Sequence, residues 1–93
     1  MTDKNEIRSW FDDGVSRGHT FMIVVCDTFD WEDHPVYTSL GGFNEEYWKN
    51  YNHPMQQIME VYDLSMDRET QMAEHRAFHY PPGFNLNNKP TRT

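Results

Sequence analysis

The sequence predicts a small α+β domain in which a three-stranded antiparallel sheet, with the strand order 2-1-3, is covered by helices. The main observation is residues 20–26, which read Thr-Phe-Met-Ile-Val-Val-Cys and are apolar on both alternating faces. A strand of this kind belongs at the centre of a sheet that is covered on both sides. Two further observations agree with this fold class. A helical apolar stripe precedes the strand, and a polar turn with a short second strand follows it.

The first helix is predicted from an apolar stripe at spacings i, i+3, i+4 and i+8. The residues of this stripe are Ile7, Trp10, Phe11 and Val15. Asp3, followed three residues later by Glu6, resembles a capping box at the start of the helix. Gly18 can take the left-handed conformation that ends a helix, so the chain passes into the central strand within two residues.

Residues 27–35 predict a long acidic turn, because they are too polar to continue the strand. They also include Pro35, which cannot donate a hydrogen bond to a strand ladder. Residues 36–39 resume the character of a strand. We therefore expect a hairpin with an enlarged loop and a short second strand at the edge of the sheet.

Two more helices are predicted from their caps. Asn44 is the expected N-cap of a short helix with an aromatic face. Ser65 is the expected N-cap of a last helix over residues 66–75. Met72 and Ala73 should lie on the inner side of that last helix.

The third strand is predicted over residues 55–62. Its alternation places Ile58 with Tyr62 on one face of the sheet, and Met59 with Val61 on the other. A right-handed crossover through the second helix makes this strand parallel to the second strand. The apolar first strand then lies between them.

Length and composition limit the function as well as the fold. We expect one acidic domain over residues 1–84 and a polar C-terminal tail over residues 85–93. Fifteen acidic and eight basic residues give a net charge of -7, which argues against direct binding to nucleic acid. One cysteine, a polar segment at residues 1–10 and no apolar run of membrane length predict a cytoplasmic protein without a membrane segment.

The predicted partner-binding site has two parts. The first is the acidic turn, where aromatic side chains stand among carboxylates that can steer the protein to a basic surface. Its residues are Asp27, Phe29, Asp30, Trp31, Glu32 and Asp33. The second part contains residue types that are common at binding hot spots. Its residues are Arg76, Phe78 and Tyr80.

An alternative site for a metal, a nucleotide or catalysis uses Asp27, His34 and His53, which the topology brings to one end of the sheet. The spacing of these residues matches no metal-ligand motif, so we expect no cofactor and no metal. Cys26 alternates in register with Met22 and is interpreted as a small buried residue rather than a nucleophile.

Two other groups have simpler structural interpretations. His19, Asp63 and Ser65 could approach one another, but Ser65 is explained as a helix cap. His75 and His79 would share a helix face if the last helix continued that far, and they lack a third ligand.

Three sequence segments of the chain resemble small proteins of tailed phages and their bacterial hosts. These segments are residues 22–30, residues 35–37 and residues 59–64, and the resemblance covers roughly residues 1 to 80. It implies a short, acidic, cytoplasmic accessory protein of a mobile element. Such proteins often bind and block a host protein, including defence factors. The resemblance transfers no activity and no functional residue.

The function expected from these observations is non-catalytic binding. The protein would inhibit or modulate a larger host protein with a basic surface, such as a defence or nucleic-acid-processing factor. One alternative is a structural or assembly component that acts by self-association as a homo-oligomer. The other is a small enzyme or ligand-sequestering protein that uses Asp27, His34 and His53.

Overall fold

The computed structural model describes residues 3–86 and shows an α+β domain with the predicted order of elements. Its helices and strands are α1 (Lys4–Ser16), β1 (Phe21–Asp27), β2 (Glu32–Thr38), α2 (Phe43–Tyr51), β3 (Gln56–Asp63) and α3 (Arg68–Met72). The strands form one sheet in the order β2-β1-β3, and β1 is antiparallel to both neighbours. The predicted fold class and strand order are therefore confirmed. Within residues 3–86, no helix combines the length and the apolar character needed to cross a membrane.

Strand β1 is the centre of the core, because its first six residues, 21–26, are all buried. Met22 and Val24 face a layer formed by α1, α3 and Ala77. Ile23 and Val25 face a second layer formed by α2. Burying one such side chain contributes about 1.5–3 kcal/mol, so the two alternating faces of this strand account for much of the stability.

Helix α1 begins as predicted, because the side chain of Asp3 accepts a hydrogen bond of 2.9 Å from the backbone N–H of Glu6. Gly18 follows the helix with φ of 80°. The predicted stripe is wrong at one position: Val15 is exposed, and Gly14 is buried instead. The helix approaches the sheet so closely at Gly14 that a Cβ there would lie 2.7 Å from Tyr37 Cε1, so a larger residue would force neighbouring side chains to move.

The hairpin differs from the prediction. Strand β2 begins at Glu32 rather than at residue 36, and the turn is confined to residues 28–31. Pro35 lies inside β2, opposite Val24. The strand accommodates it because β2 is an edge strand, where one row of backbone groups needs no neighbouring strand.

The caps of the other two helices also differ from the prediction. Helix α2 is preceded by Gly42 without a side-chain cap, and Asn44 accepts a hydrogen bond from Trp48 Nε1 instead. Helix α3 is capped by Asp67 rather than by Ser65, and it ends at Met72. Ala73 is exposed rather than on the inner side of the helix.

Strand β3 contains a bulge that reverses its alternation. Val24 lies opposite Glu60, whereas Val25 lies opposite Ile58, so Met59 is an extra residue. Ile58 therefore packs in the α2 layer with Val61, and Met59 packs in the α1 layer with Tyr62. The predicted faces were wrong because one inserted residue shifts a two-residue period.

Residues 73–86 cover the outer edge of β3 at Val61 and pack over the α2 layer. The backbone of Val61 pairs with Ala77 and His79 in a short parallel bridge. Tyr80 and Phe84 then pack over the α2 layer. Of the predicted polar tail, residues 87–93 lie outside the described part of the chain.

Candidate functional site

The β1–β2 turn presents two large aromatic side chains to solvent. Phe29 is 82% exposed and Trp31 is 64% exposed, the two highest values among the large hydrophobic residues of the described chain. The turn itself is well defined. Trp31 N–H donates to Asp27 O at 2.7 Å, and Phe29 N–H donates to Asp27 Oδ1 at 2.8 Å. We call residues 27–33 the hairpin tip.

Trp31 has a backbone conformation that favours glycine. Its φ is 60°, and it is the only residue other than glycine with positive φ within residues 3–86. An L-residue in this left-handed region costs about 1–2 kcal/mol because Cβ crowds the following carbonyl oxygen. The turn therefore holds a bulky, exposed tryptophan at a position where glycine or asparagine would be more stable.

The carboxylates of the hairpin tip have structural as well as electrostatic roles. Asp27 Oδ1 accepts from Phe29 N, and Asp30 Oδ1 accepts from Glu32 N at 3.0 Å. Glu32 is exposed and Asp33 is half-buried at the start of β2. The tip thus combines four carboxylates with two exposed aromatic rings.

Cys26 is buried beside this acidic group. It is 5% exposed and lies opposite Asp33 in the β1–β2 pair. Burial raises the pKa of the Cys26 thiol, and a hydrogen bond with Asp33 raises it further. A thiol in this environment stays protonated at neutral pH, which is the opposite of what a nucleophilic cysteine needs.

His34 and His53 both lie at the hairpin end of the sheet. His34 is paired with Val25, and His53 precedes β3, where its Nδ1 accepts from Met55 N at 3.1 Å. Within residues 3–86, however, no three His, Cys, Asp or Glu side chains form a group that could hold a metal ion. The structure gives the alternative site at Asp27, His34 and His53 no ligand set.

The other two groups considered from the sequence do not form sites either. The His19 ring stacks on Tyr37 with centroids 5.1 Å apart, while Ser65 Oγ donates to Asp63 Oδ1 at 2.6 Å. Because α3 ends at Met72, His75 and His79 do not share a helix face. His79 instead contacts Glu74 at 2.8 Å.

The second part of the predicted binding site does not belong to the hairpin tip, although Gln56 at the start of β3 pairs with Asp27. Arg76, Phe78 and Tyr80 line an open groove of about 550 Å³ between α2, the first half of β3 and residues 76–80. Tyr80 packs on the core, whereas Phe78 stacks on Tyr80 and remains 41% exposed. We call this surface the aromatic groove.

The α2 side of the aromatic groove was not predicted as part of a site. Tyr47, Trp48 and Tyr51 line it, together with the β3 residues 56–59. The sequence contained one signal for it, because Tyr47 and Tyr51 are four residues apart and therefore share one face of the predicted helix. Burial raises the pKa of Tyr47, and its hydrogen bond with Tyr80 adds to this, so the Tyr47 hydroxyl stays protonated at neutral pH.

Comparisons of the chain with models of known protein families, with curated proteins and with solved structures find no match. No function therefore comes to this chain from a relative.

Proposed function

We propose that the protein is a small non-catalytic binding protein that places its hairpin tip on a larger protein with a basic surface and thereby inhibits or modulates it. The exposure of Phe29 and Trp31 within one turn carries this proposal. Single exposed apolar residues are common on soluble proteins, but two neighbouring aromatic rings at a turn are typical of a binding surface. Tryptophan is also the residue most enriched among binding hot spots.

The conformation of Trp31 supports a functional role for its side chain. Glycine at this position would relieve the strain of positive φ, and the exposed ring gives little packing in return. Strained residues of this kind cluster at binding and active sites. The strain therefore favours a tryptophan retained for a contact with a partner.

The charge of the hairpin tip indicates the chemistry of the partner. Four carboxylates lie within residues 27–33, in a protein whose net charge is -7. Such a tip attracts a basic surface and speeds encounter with it. The apolar rings would then fill a pocket inside that basic surface and slow dissociation. The resemblance to phage proteins adds a setting, in which the partner is a bacterial host protein such as a defence or nucleic-acid-processing factor.

The proposal is tested by capturing proteins from a bacterial lysate and then measuring each captured protein in purified form. We expect a partner whose association rate falls as salt is raised. The neutralised tip, with Asp27→Asn, Asp30→Asn, Glu32→Gln and Asp33→Asn, should associate more slowly and depend less on salt. Asparagine keeps the Oδ1 acceptors of the turn, so this variant should fold normally.

A second variant, Trp31→Ala, should leave the association rate nearly unchanged and raise the dissociation rate by about 30-fold, or about 2 kcal/mol. A matched control carries the same change in net charge on acids away from the tip, three of them exposed and Glu46 half-buried: Glu6→Gln, Asp13→Asn, Glu45→Gln and Glu46→Gln. A partner that binds both tip variants as well as the wild type would refute the proposal. If the control variant slows association as much as the neutralised tip does, the tip acts only through the net charge of the whole protein.

A further inference from the structure

The aromatic groove carries one formal charge, and that charge is positive. Among the residues that line it, Arg76 is the only ionised side chain, in a protein with fifteen acidic residues. The rest of the lining consists of aromatic, aliphatic and amide side chains. A ligand that fits this groove therefore combines apolar groups with one negative charge.

Arg76 is also distinguished by its lack of a partner within residues 3–86. Arg8, Arg17, Lys49 and Arg68 each form an ion pair with a carboxylate. Lys4 donates to the backbone oxygens of Met72 and Glu74. In the described chain Arg76 makes no hydrogen bond and no ion pair, and its guanidinium group is available for a carboxylate from outside.

The groove includes an open sheet edge. Strand β3 is the edge strand opposite to β2, and its outer side is paired only at Val61, with Ala77 and His79. In the first half of β3, the outer side of residues 57–59 has no backbone partner within the described chain. An unpaired strand edge is a template for an added strand.

We propose that the aromatic groove binds an extended peptide segment of a partner protein, which adds a strand along residues 56–59 of β3 and places an acidic group on Arg76. The peptide segment would lie beside the first half of β3, on the same outer side of the strand that residues 77–79 occupy at Val61. Main-chain hydrogen bonds to the edge supply affinity, as in other strand additions. An apolar side chain of the peptide packs on the exposed rings of Tyr51 and Phe78, and the carboxylate gives specificity.

The chemistry of the groove favours this occupant over two others. A single-stranded nucleic acid also stacks on aromatic rings, but it needs several cations along its backbone, and the groove has one. A second copy of this chain would bring another charge of -7 to the surface. An isolated peptide with one acidic residue meets neither difficulty.

This inference does not depend on the proposed role of the hairpin tip, since the groove selects an acidic ligand and the tip selects a basic one. The two surfaces are therefore separable by mutation. Trp31→Gly should leave peptide binding in the groove unchanged, and Arg76→Gln should leave the binding of a basic partner at the tip unchanged.

The test is a selection of random nine-residue peptides displayed on a carrier, with the full chain as bait. Synthetic versions of the enriched peptides are then titrated into isotope-labelled protein. We expect enriched peptides to share an acidic residue near a large apolar one, and to shift the backbone amide signals of residues 56–59. Arg76→Gln should weaken their binding by about tenfold or more. The matched control Arg17→Gln, which removes the exposed arginine at the C-cap of α1, should leave it unchanged.

Several outcomes would overturn the inference. These are enrichment no greater than with the Arg76→Gln bait, enriched peptides without an acidic residue, or amide shifts confined to another surface. A single-stranded oligonucleotide that shifts the same amides more strongly would reassign the groove to nucleic acid. A dimer in sedimentation that Arg76→Gln dissociates would reassign it to a second copy of this chain.

Discussion

The side chain of Gln71 forms a two-way hydrogen-bonded pair with the backbone of Asp63. Its Nε2 donates to Asp63 O at 2.8 Å, and its Oε1 accepts from Asp63 N at 2.8 Å. Gln71 is 1% exposed, and its Nε2 also donates to Asp67 O. The amide thus completes the ladder at the end of β3 and joins it to α3.

Gln71→Leu should destabilise the protein by about 1–3 kcal/mol, because it leaves the N–H of Asp63 without a partner. The carbonyl oxygen of Asp63 also loses one hydrogen bond and keeps the one from Met66 N–H. Gln71→Glu should cost more at neutral pH, since a carboxylate oxygen would face the carbonyl oxygens of Asp63 and Asp67. Chemical denaturation measures both variants, with Gln57→Leu at an exposed position of β3 as the control. A Gln71→Leu protein as stable as the wild type would contradict this role.

The centre of the fold was predictable because the pattern of β1 alone, apolar on both alternating faces, requires a central position in the sheet. Its apolar run had to be covered on both faces, and the order β2-β1-β3 follows from that requirement together with a hairpin. The bulge at Met59 was not predictable, because no residue in β3 marks an insertion. The cap at Gly42 was missed because Asn44, two residues later, is the better capping residue on sequence alone. The cap at Asp67 was missed because Ser65, two residues earlier, is an equally good one.

The candidate sites were predictable in part. The hairpin tip is a contiguous segment, so its charges and aromatic rings could be read directly from residues 27–33. The positive φ of Trp31 could not, since the length of the turn depends on where β2 begins, and Pro35 concealed that start. The aromatic groove joins three distant segments, and its open edge depends on how residues 77–79 pair with Val61. Such an arrangement is set by tertiary packing.

Val24→Asp should prevent cooperative folding. Val24 is 1% exposed and lies in β1 between Pro35 on one neighbouring strand and Glu60 on the other. An unpaired carboxylate at this position costs several kcal/mol, a large share of the stability of a small domain. The matched control is Val15→Asp, at a position that is 49% exposed. A soluble Val24→Asp protein with a sharp thermal transition would show that this face of β1 is open to water.

Gly14→Ala should destabilise the protein, although alanine is normally favoured over glycine in a helix by about 1 kcal/mol. A Cβ at Gly14 would lie 2.7 Å from Tyr37 Cε1 and 2.8 Å from Leu64 Cδ1. The Tyr37 ring has little freedom to move, because its hydroxyl donates to Trp10 O at 2.8 Å. We expect a loss of about 1–3 kcal/mol in the free energy of unfolding. Ser9→Ala, on the exposed side of the same helix, should be neutral or slightly stabilising, and a gain in stability for Gly14→Ala would contradict the close approach.

The N-cap of α3 should make stability depend on pH in acid. The hydroxyl and the backbone N–H of Thr70 donate to Asp67 Oδ2, and these hydrogen bonds hold the pKa of Asp67 below its ordinary value of 3.8. A carboxyl whose pKa is lowered by folding stabilises the native state fully above its ordinary pKa. This contribution is lost as the pH falls through the lowered value.

Asp67→Ala should therefore be less stable than the wild type at neutral pH, and the difference should narrow as the pH is lowered from about 5 to about 2. Asp67→Ser provides the control, because serine caps a helix without titrating in this range. The difference in the free energy of unfolding between Asp67→Ser and Asp67→Ala should therefore not change with pH over this range. A constant gap between Asp67→Ala and the wild type over the whole range would exclude the carboxylate as the titrating group.

At Trp31, stability and partner binding can be tested separately, because the backbone conformation lowers stability whereas the exposed ring is proposed to bind the partner. Trp31→Gly removes the strain of φ 60° and should be about 1 kcal/mol more stable than Trp31→Ala, which keeps that strain. The greater freedom of glycine in the unfolded chain offsets part of this gain. Thermal and chemical unfolding measure the stability of both variants without any partner.

If the ring is the anchor of the hairpin tip, both variants lose partner binding to the same extent, although one is the more stable protein. A Trp31→Gly protein less stable than Trp31→Ala would show that the positive φ is not a strained feature of the turn, and would remove the argument that this tryptophan is kept for binding.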